Sequence, residues 1–100
     1  MDRFKDRATR DIREGRPTKA ARRAVAWYHH TKARQLLDFV YRANHLGNFS
    51  ELAAGASFKE LHGRLQGTYQ VRIAGQYRIR FKWSNFGACE IQAGEFHDEG

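Results

Sequence analysis

The chain is poor in residues that constrain or cross-link small domains: one cysteine, one proline and one methionine among 100 residues. A lone Cys89 excludes an internal disulfide and any zinc site built on cysteines. Its place in the alternating run Cys89, Ile91, Ala93 predicts a buried core residue. No apolar run approaches the length of a membrane span, so no membrane partner is expected. The opening MDRFKDRATRD lacks the apolar segment of a secretory signal, and cytoplasm is the expected location. Acid is scarce too, with 18 Lys and Arg against 11 Asp and Glu and a formal charge of +7. That balance suits a nucleic-acid partner or an acidic protein, and it also suits plain solubility. Length predicts one domain over 1–100, and an apolar content of 41% is enough for one core.

Along the chain, Phe4, Ala8 and Ile12 recur by fours in a charged stretch, the pattern of a short amphipathic helix or a loosely held arm. Gly15 and Pro17 interrupt it, and Pro17 fits just inside the next helix start. From Thr18 to about Leu46 there is neither Gly nor Pro. Ala24, Trp27, Tyr28, Thr31, Leu36, Leu37, Val40, Ala43 and Leu46 recur at three and four, which predicts one long helix. The alternative is a break near His29 and His30. Lys19, Arg22, Arg23, Lys32, Arg34 and Arg42 on it face almost no acid. Adjacent His29 and His30 point about a third of a turn apart and have no third ligand nearby, so no metal site is expected. Gly47 is expected to cap the helix end, and Phe49, Leu52 and Phe58 to wrap a corner of the core around Gly55.

The stretch Leu61–Trp83 has period two on both sides of a turn. Tyr69, Val71 and Ile73 alternate with polar residues, as do Tyr77, Ile79, Phe81 and Trp83. Residues opposed across an antiparallel pair share a face. A two-residue loop at Ala74 and Gly75 would mix the faces. A three-residue turn Ile73-Ala74-Gly75 instead pairs Val71 with Tyr77 and Tyr69 with Ile79, with Gly75 in the left-handed region. A third strand follows, and an odd connection over 84–88 would put Cys89 on the face of Trp83. The expected fold class is α+β: N-terminal helices on one face of a three- to four-stranded, mainly antiparallel sheet, with an edge segment at the amino end.

The other face then carries Arg72, Arg78, Arg80 and Lys82, with Glu95, Phe96, His97 and Asp98 brought to its end. Fixed arginines suit phosphate oxygens. Cutting RNA without metal further needs a group to take the 2′-hydroxyl proton, one to protonate the leaving 5′-oxygen, and cations for the crowded phosphate. Histidine, glutamate and lysine side chains are the proton carriers at hand.

Several segments resemble the HigB branch of the RelE/ParE toxin superfamily. These are Leu61-His62-Gly63, Gly67-Thr68-Tyr69-Gln70-Val71-Arg72-Ile73, Gln76 through Trp83, and Glu95-Phe96-His97. The similarity covers about residues 58 to 97 and extends more loosely over the helical half. It implies a RelE-like, microbial RNase-type fold and a ribosome-dependent endoribonuclease that cuts translated mRNA in the A site without a cofactor. It also implies a HigA-like helix-turn-helix antitoxin, and through that complex, binding to operator DNA.

Carried over by position, Arg78 resembles the arginine on the scissile phosphate and His97 the terminal acid or base. Glu95 stands where aspartate is usual, Lys59 where an additional catalytic histidine falls, and His62 on a usual lysine. Phe96 replaces a tyrosine, losing a hydroxyl and keeping a ring for base stacking. Arg72, Arg80, Lys82 and Phe96 are the expected RNA contacts, joined by Arg22 and Arg23 from the helical half. Two alternatives stand beside the nuclease: a non-catalytic member that acts through its antitoxin, and a gyrase-inhibiting toxin of the ParE kind.

Overall fold

The computed structural model describes residues 2–52 and 56–97. Its first helix, α1 (Arg7–Arg13), starts where the Asp6 carboxylate accepts the Thr9 N–H at 2.9 Å and the Thr9 hydroxyl at 2.6 Å. The second, α2 (Lys19–Ala24), is capped by Thr18, which accepts the Ala21 N–H and donates to Asp11 at 2.8 Å. Each such cap is worth about 1 kcal/mol. Pro17 precedes the cap rather than opening the helix.

The long helix expected over 18–46 is broken. After Ala24 the chain is extended at Val25 (φ −139°, ψ 133°), makes a 3-10 turn over Trp27–His29, and resumes as α3 (His30–Arg42). The break is satisfied locally by His30, whose Nε2 lies 2.7 Å from the Val25 carbonyl and 3.2 Å from that of Ala21. Facing two acceptors, that nitrogen carries the proton and donates, so one ring closes the carbonyl end of α2. At the far end α3 stops at Arg42, and Gly47 falls inside a 3-10 turn, Leu46–Glu51, instead of capping the helix. The freed N–H groups of Asn44 and His45 donate to Asn48 Oδ1.

Four antiparallel strands follow in the order β1-β2-β3-β4: β1 (Lys59–Glu60), β2 (Thr68–Ala74), β3 (Tyr77–Ser84) and β4 (Gly87–Glu95). The architecture is α+β, with the helices on one face of an open sheet. The amino-terminal edge segment is present as a parallel bridge from Phe4 to Ile91. No helix among the described residues is long and apolar enough to cross a membrane.

The hairpin keeps its faces but not its expected partners. Val71 opposes Ile79 and Tyr69 opposes Phe81, two residues further along β3 than expected. The tight turn is Gly75-Gln76, with Gly75 at φ +56°, and the extra residue is a bulge at Ile73 between Arg72 and Ala74. A two-residue turn plus one bulged residue has the parity of a three-residue loop, which is why the face assignment survives.

Strand β4 departs further. Ser84 opposes Gly87 and Trp83 opposes Ala88, so the connection is the pair Asn85-Phe86 rather than 84–88. Cys89 consequently opposes Lys82 on the basic face and is only half-buried, not a core residue. Between Cys89 and Gln92 the strand takes three steps while β3 takes two from Lys82 to Arg80. This bulge returns Ile91 and Ala93 to the apolar face, where both are buried. Its cost falls on Glu90, held at φ +47°. That conformation is unfavourable for a side chain with a Cβ by about 1–2 kcal/mol.

Ile12, Ala21, Val25, Leu37 and Val40 from the helices meet Val71, Ile73, Ile79, Phe81 and Ile91 in one core. Its far end is aromatic, as Phe49 stacks on Phe58 at 4.7 Å and on Phe81 at 5.2 Å and meets Phe39 and Trp83 edge-on. The corner around Phe49 and Phe58 is thus as expected; Gly55 lies outside the described residues.

Candidate nucleic-acid interface

The sheet face away from the helices is built in cross-strand rows. One row runs Lys59, Gln70, Arg80, Gln92 across all four strands. A second holds Thr68, Lys82 and Cys89, and a third Arg72, Arg78 and Gly94. Because strand backbones fix side-chain direction, the charges on this face are held at set spacings.

Arg80 sits at its centre. Its Nε donates to Gln70 Oε1 at 2.9 Å, its Nη2 approaches the His97 carbonyl at 3.5 Å, and its guanidinium lies 4.3 Å from the centre of the Phe96 ring. Phe96 reaches that position because its N–H donates to the Gln76 carbonyl at 2.8 Å, carrying the β3–β4 pairing one step past Tyr77 and Glu95. Its ring rests on Gly94, where an added Cβ would lie 3.6 Å from Phe96 Cε2. A flat cation on a flat ring is a rigid platform, as pairing holds the guanidinium in one plane.

Beside this platform is an open cleft of about 260 Å³. Arg80, Lys82 and Phe96 line it together with Lys5, Arg64, Gln66, Thr68, Glu90 and Gln92. Lys5 is brought in by the bridge of the amino-terminal segment to β4, where its N–H donates to the Ile91 carbonyl at 2.8 Å. Arg64 comes from the 3-10 turn Gly63–Leu65, entered through Gly63 at φ +68° and left through Gly67 at φ +87°. The cleft thus combines cations from three parts of the chain with one carboxylate, that of Glu90, whose Oε2 lies 3.8 Å from Lys82 Nζ.

The residues read from the sequence are only partly gathered. Arg72, Arg78, Arg80, Lys82 and Lys59 share the basic face, and Phe96 covers it. His62 is exposed just before the 3-10 turn, and His97 is exposed after β4; neither lines the cleft. Glu95 opposes Tyr77, which puts it on the helical side of the sheet, away from Arg80. Arg22 and Arg23 are exposed on α2, in the helical layer. Asp98 lies outside the described residues.

Lys5, Arg64 and Glu90 were not singled out from the sequence. Lys5 is a local neighbour of nothing else in the cleft and only the topology brings it there, while Arg64, with Gln66 and Thr68 close by in the chain, enters on a 3-10 turn that no alternation announces. Glu90 carried a weak signal, since it alternates with Ile91 in a polar position. Among the described residues no group of three or more histidine, cysteine, aspartate or glutamate side chains is arranged to hold a metal ion. Comparison with known protein families and with curated proteins gives no match.

Proposed function

We propose that this domain is a cytoplasmic toxin of the HigB kind that binds translated mRNA on the ribosome and cuts it by attack of the 2′-hydroxyl on the neighbouring phosphate. The observation that carries this reading is the Arg80 and Phe96 platform at the mouth of a cleft rimmed by Lys5, Arg64 and Lys82. A phosphate needs fixed cations, and an unpaired base needs a flat apolar surface next to them. Arg78 and Arg80 hold the phosphate in this reading, Phe96 stacks on a base, and Lys59, His62 and His97 stand at the margin as proton carriers. A helix-turn-helix antitoxin would neutralise the protein and carry it to operator DNA.

A second reading, toxin fold without cleavage and action through the antitoxin, draws support from the two histidines outside the cleft. Exposed Trp27 and Tyr28, in contact edge to face beside the basic helix α2, would serve such a partner. Primer extension on a translated message separates the two. Discrete cuts within in-frame codons, lost when translation is blocked, are expected for the nuclease. An uncut message under growth arrest would favour the second reading, and inhibition of purified gyrase would point to the ParE kind instead.

A further inference from the structure

Glu90 is held in the left-handed region at φ +47° by the β4 bulge, a conformation that glycine or asparagine would adopt with less strain. The bulge itself needs only an extra residue, so geometry alone gives no reason for glutamate there. Nor does stability: the partner of its carboxylate is Lys82 at 3.8 Å, with both side chains more than half exposed. A carboxylate is also the wrong charge for a phosphate cleft lined by Lys5, Arg64, Arg80 and Lys82. It weakens binding of the ligand that those cations attract. A strained, unfavourably charged residue pointing into a cleft is the pattern of a group kept for chemistry.

We infer that Glu90 is the general base of the cleft, taking the proton of the 2′-hydroxyl. The inference rests on the ribonuclease reading above and replaces the histidines as the source of proton transfer within the cleft. As the 2′-oxygen bonds to phosphorus, its proton passes to the Glu90 carboxylate. The bond from phosphorus to the 5′-oxygen breaks, and that oxygen takes a proton from the Lys82 ammonium. The products are a 2′,3′-cyclic phosphate and a 5′-hydroxyl. Glu90 then returns its proton to the Lys82 amine across the short gap that separates them, so neither atoms nor charge are left over. Arg80 and Arg64 offset the charge gathering on the phosphate.

The test uses the full chain and Glu90→Gln, which keeps size and polarity but cannot accept the proton. Two quantities are read: single-turnover cutting of a short message on purified ribosomes, and binding of an uncuttable 2′-O-methyl RNA to the free protein. Glu90→Gln is expected to cut about 10²-fold or more slowly. It should bind the 2′-O-methyl RNA as tightly as wild type or about 2- to 5-fold more tightly, since a repelling charge is gone. Opposite signs in the two readouts are not produced by a merely structural role. Glu90→Asp should recover part of the cutting. Glu90→Gly, relieved of strain, should melt at or above the wild-type temperature while remaining inactive, which separates chemistry from folding. If wild type cuts and Glu90→Gln cuts equally well, the base assignment is overturned while the nuclease reading stands. If wild type cuts no translated message, both fall.

Discussion

Arg80 separates charge from geometry more cleanly than any other position on the basic face. Arg80→Lys keeps the charge but removes the planar fork that donates to Gln70 at 2.9 Å and lies over Phe96 at 4.3 Å. The lost hydrogen bond is worth about 0.5–1.5 kcal/mol and the cation–π contact about 0.5–1 kcal/mol at a partly exposed site. A total of about 1–2.5 kcal/mol lowers the melting temperature of a domain this size by roughly 4–20 °C. If Arg80 grips a phosphate as proposed, binding of single-stranded RNA should weaken about tenfold, because a lysine offers a point charge in place of a bidentate fork. The slope of log affinity against log salt should be unchanged, because the number of cations is unchanged. Arg80→Gln should reduce that slope by about 0.7, the share of one phosphate contact on a single strand. Fluorescence anisotropy over a salt series reads both quantities. Wild-type affinity for Arg80→Lys at every salt concentration would show that the fork and the stack contribute nothing. An unchanged slope for Arg80→Gln would remove this face from RNA binding altogether.

Three further outcomes concern the scaffold. Phe49→Ala empties the centre of the aromatic cluster at a residue only 2% exposed, and should cost about 3–5 kcal/mol in urea unfolding. A loss below about 1 kcal/mol would mean that the neighbouring rings close the space. Thr9→Val leaves the Ala93 N–H, which donates to the Thr9 hydroxyl at 2.9 Å, buried without an acceptor; about 1–3 kcal/mol should be lost. Gly87→Ala combines φ +103° with a new Cβ 3.2 Å from the Ala43 carbonyl and should lower the melting temperature, whereas Gly75→Ala meets no atom within 4 Å and should be milder. Equal effects at the two glycines would show that backbone conformation alone sets the cost.

What the sequence made legible is whatever a period reports. Alternation from Tyr69 to Trp83 assigned each hairpin residue to its face, since parity is insensitive to where the turn slides. It did not assign partners, because a bulge at Ile73 and a turn at Gly75-Gln76 yield the same parity as the loop expected. Cys89 was misplaced for the same reason in reverse. A single bulge at Glu90 flips the parity within one strand, and nothing in the residue type announces it, since glutamate is a poor choice for that conformation. The break after Ala24 was legible only as the alternative near His29 and His30. It is held by a histidine five residues on that bonds the carbonyl of Val25, a tertiary substitute for the helical ladder rather than a Gly or Pro signal. The cleft itself was half legible: arginines on strands follow from alternation, while Lys5 arrives through chain topology and Arg64 on a 3-10 turn that has no period.

The amino-terminal segment ties the two ends of the chain together. Lys5 and Arg3 exchange backbone hydrogen bonds with Ile91, Asp6 accepts from Gln92 86 residues away, and Thr9 from Ala93 84 residues away. In synthesis, the first strand partner made must wait for nearly the last one, and contacts of such separation form late. The cleft, which needs Lys5 and Glu90 side by side, therefore cannot form before β4 has been made. Whatever the cleft binds, it can bind only once both ends of this fold exist together.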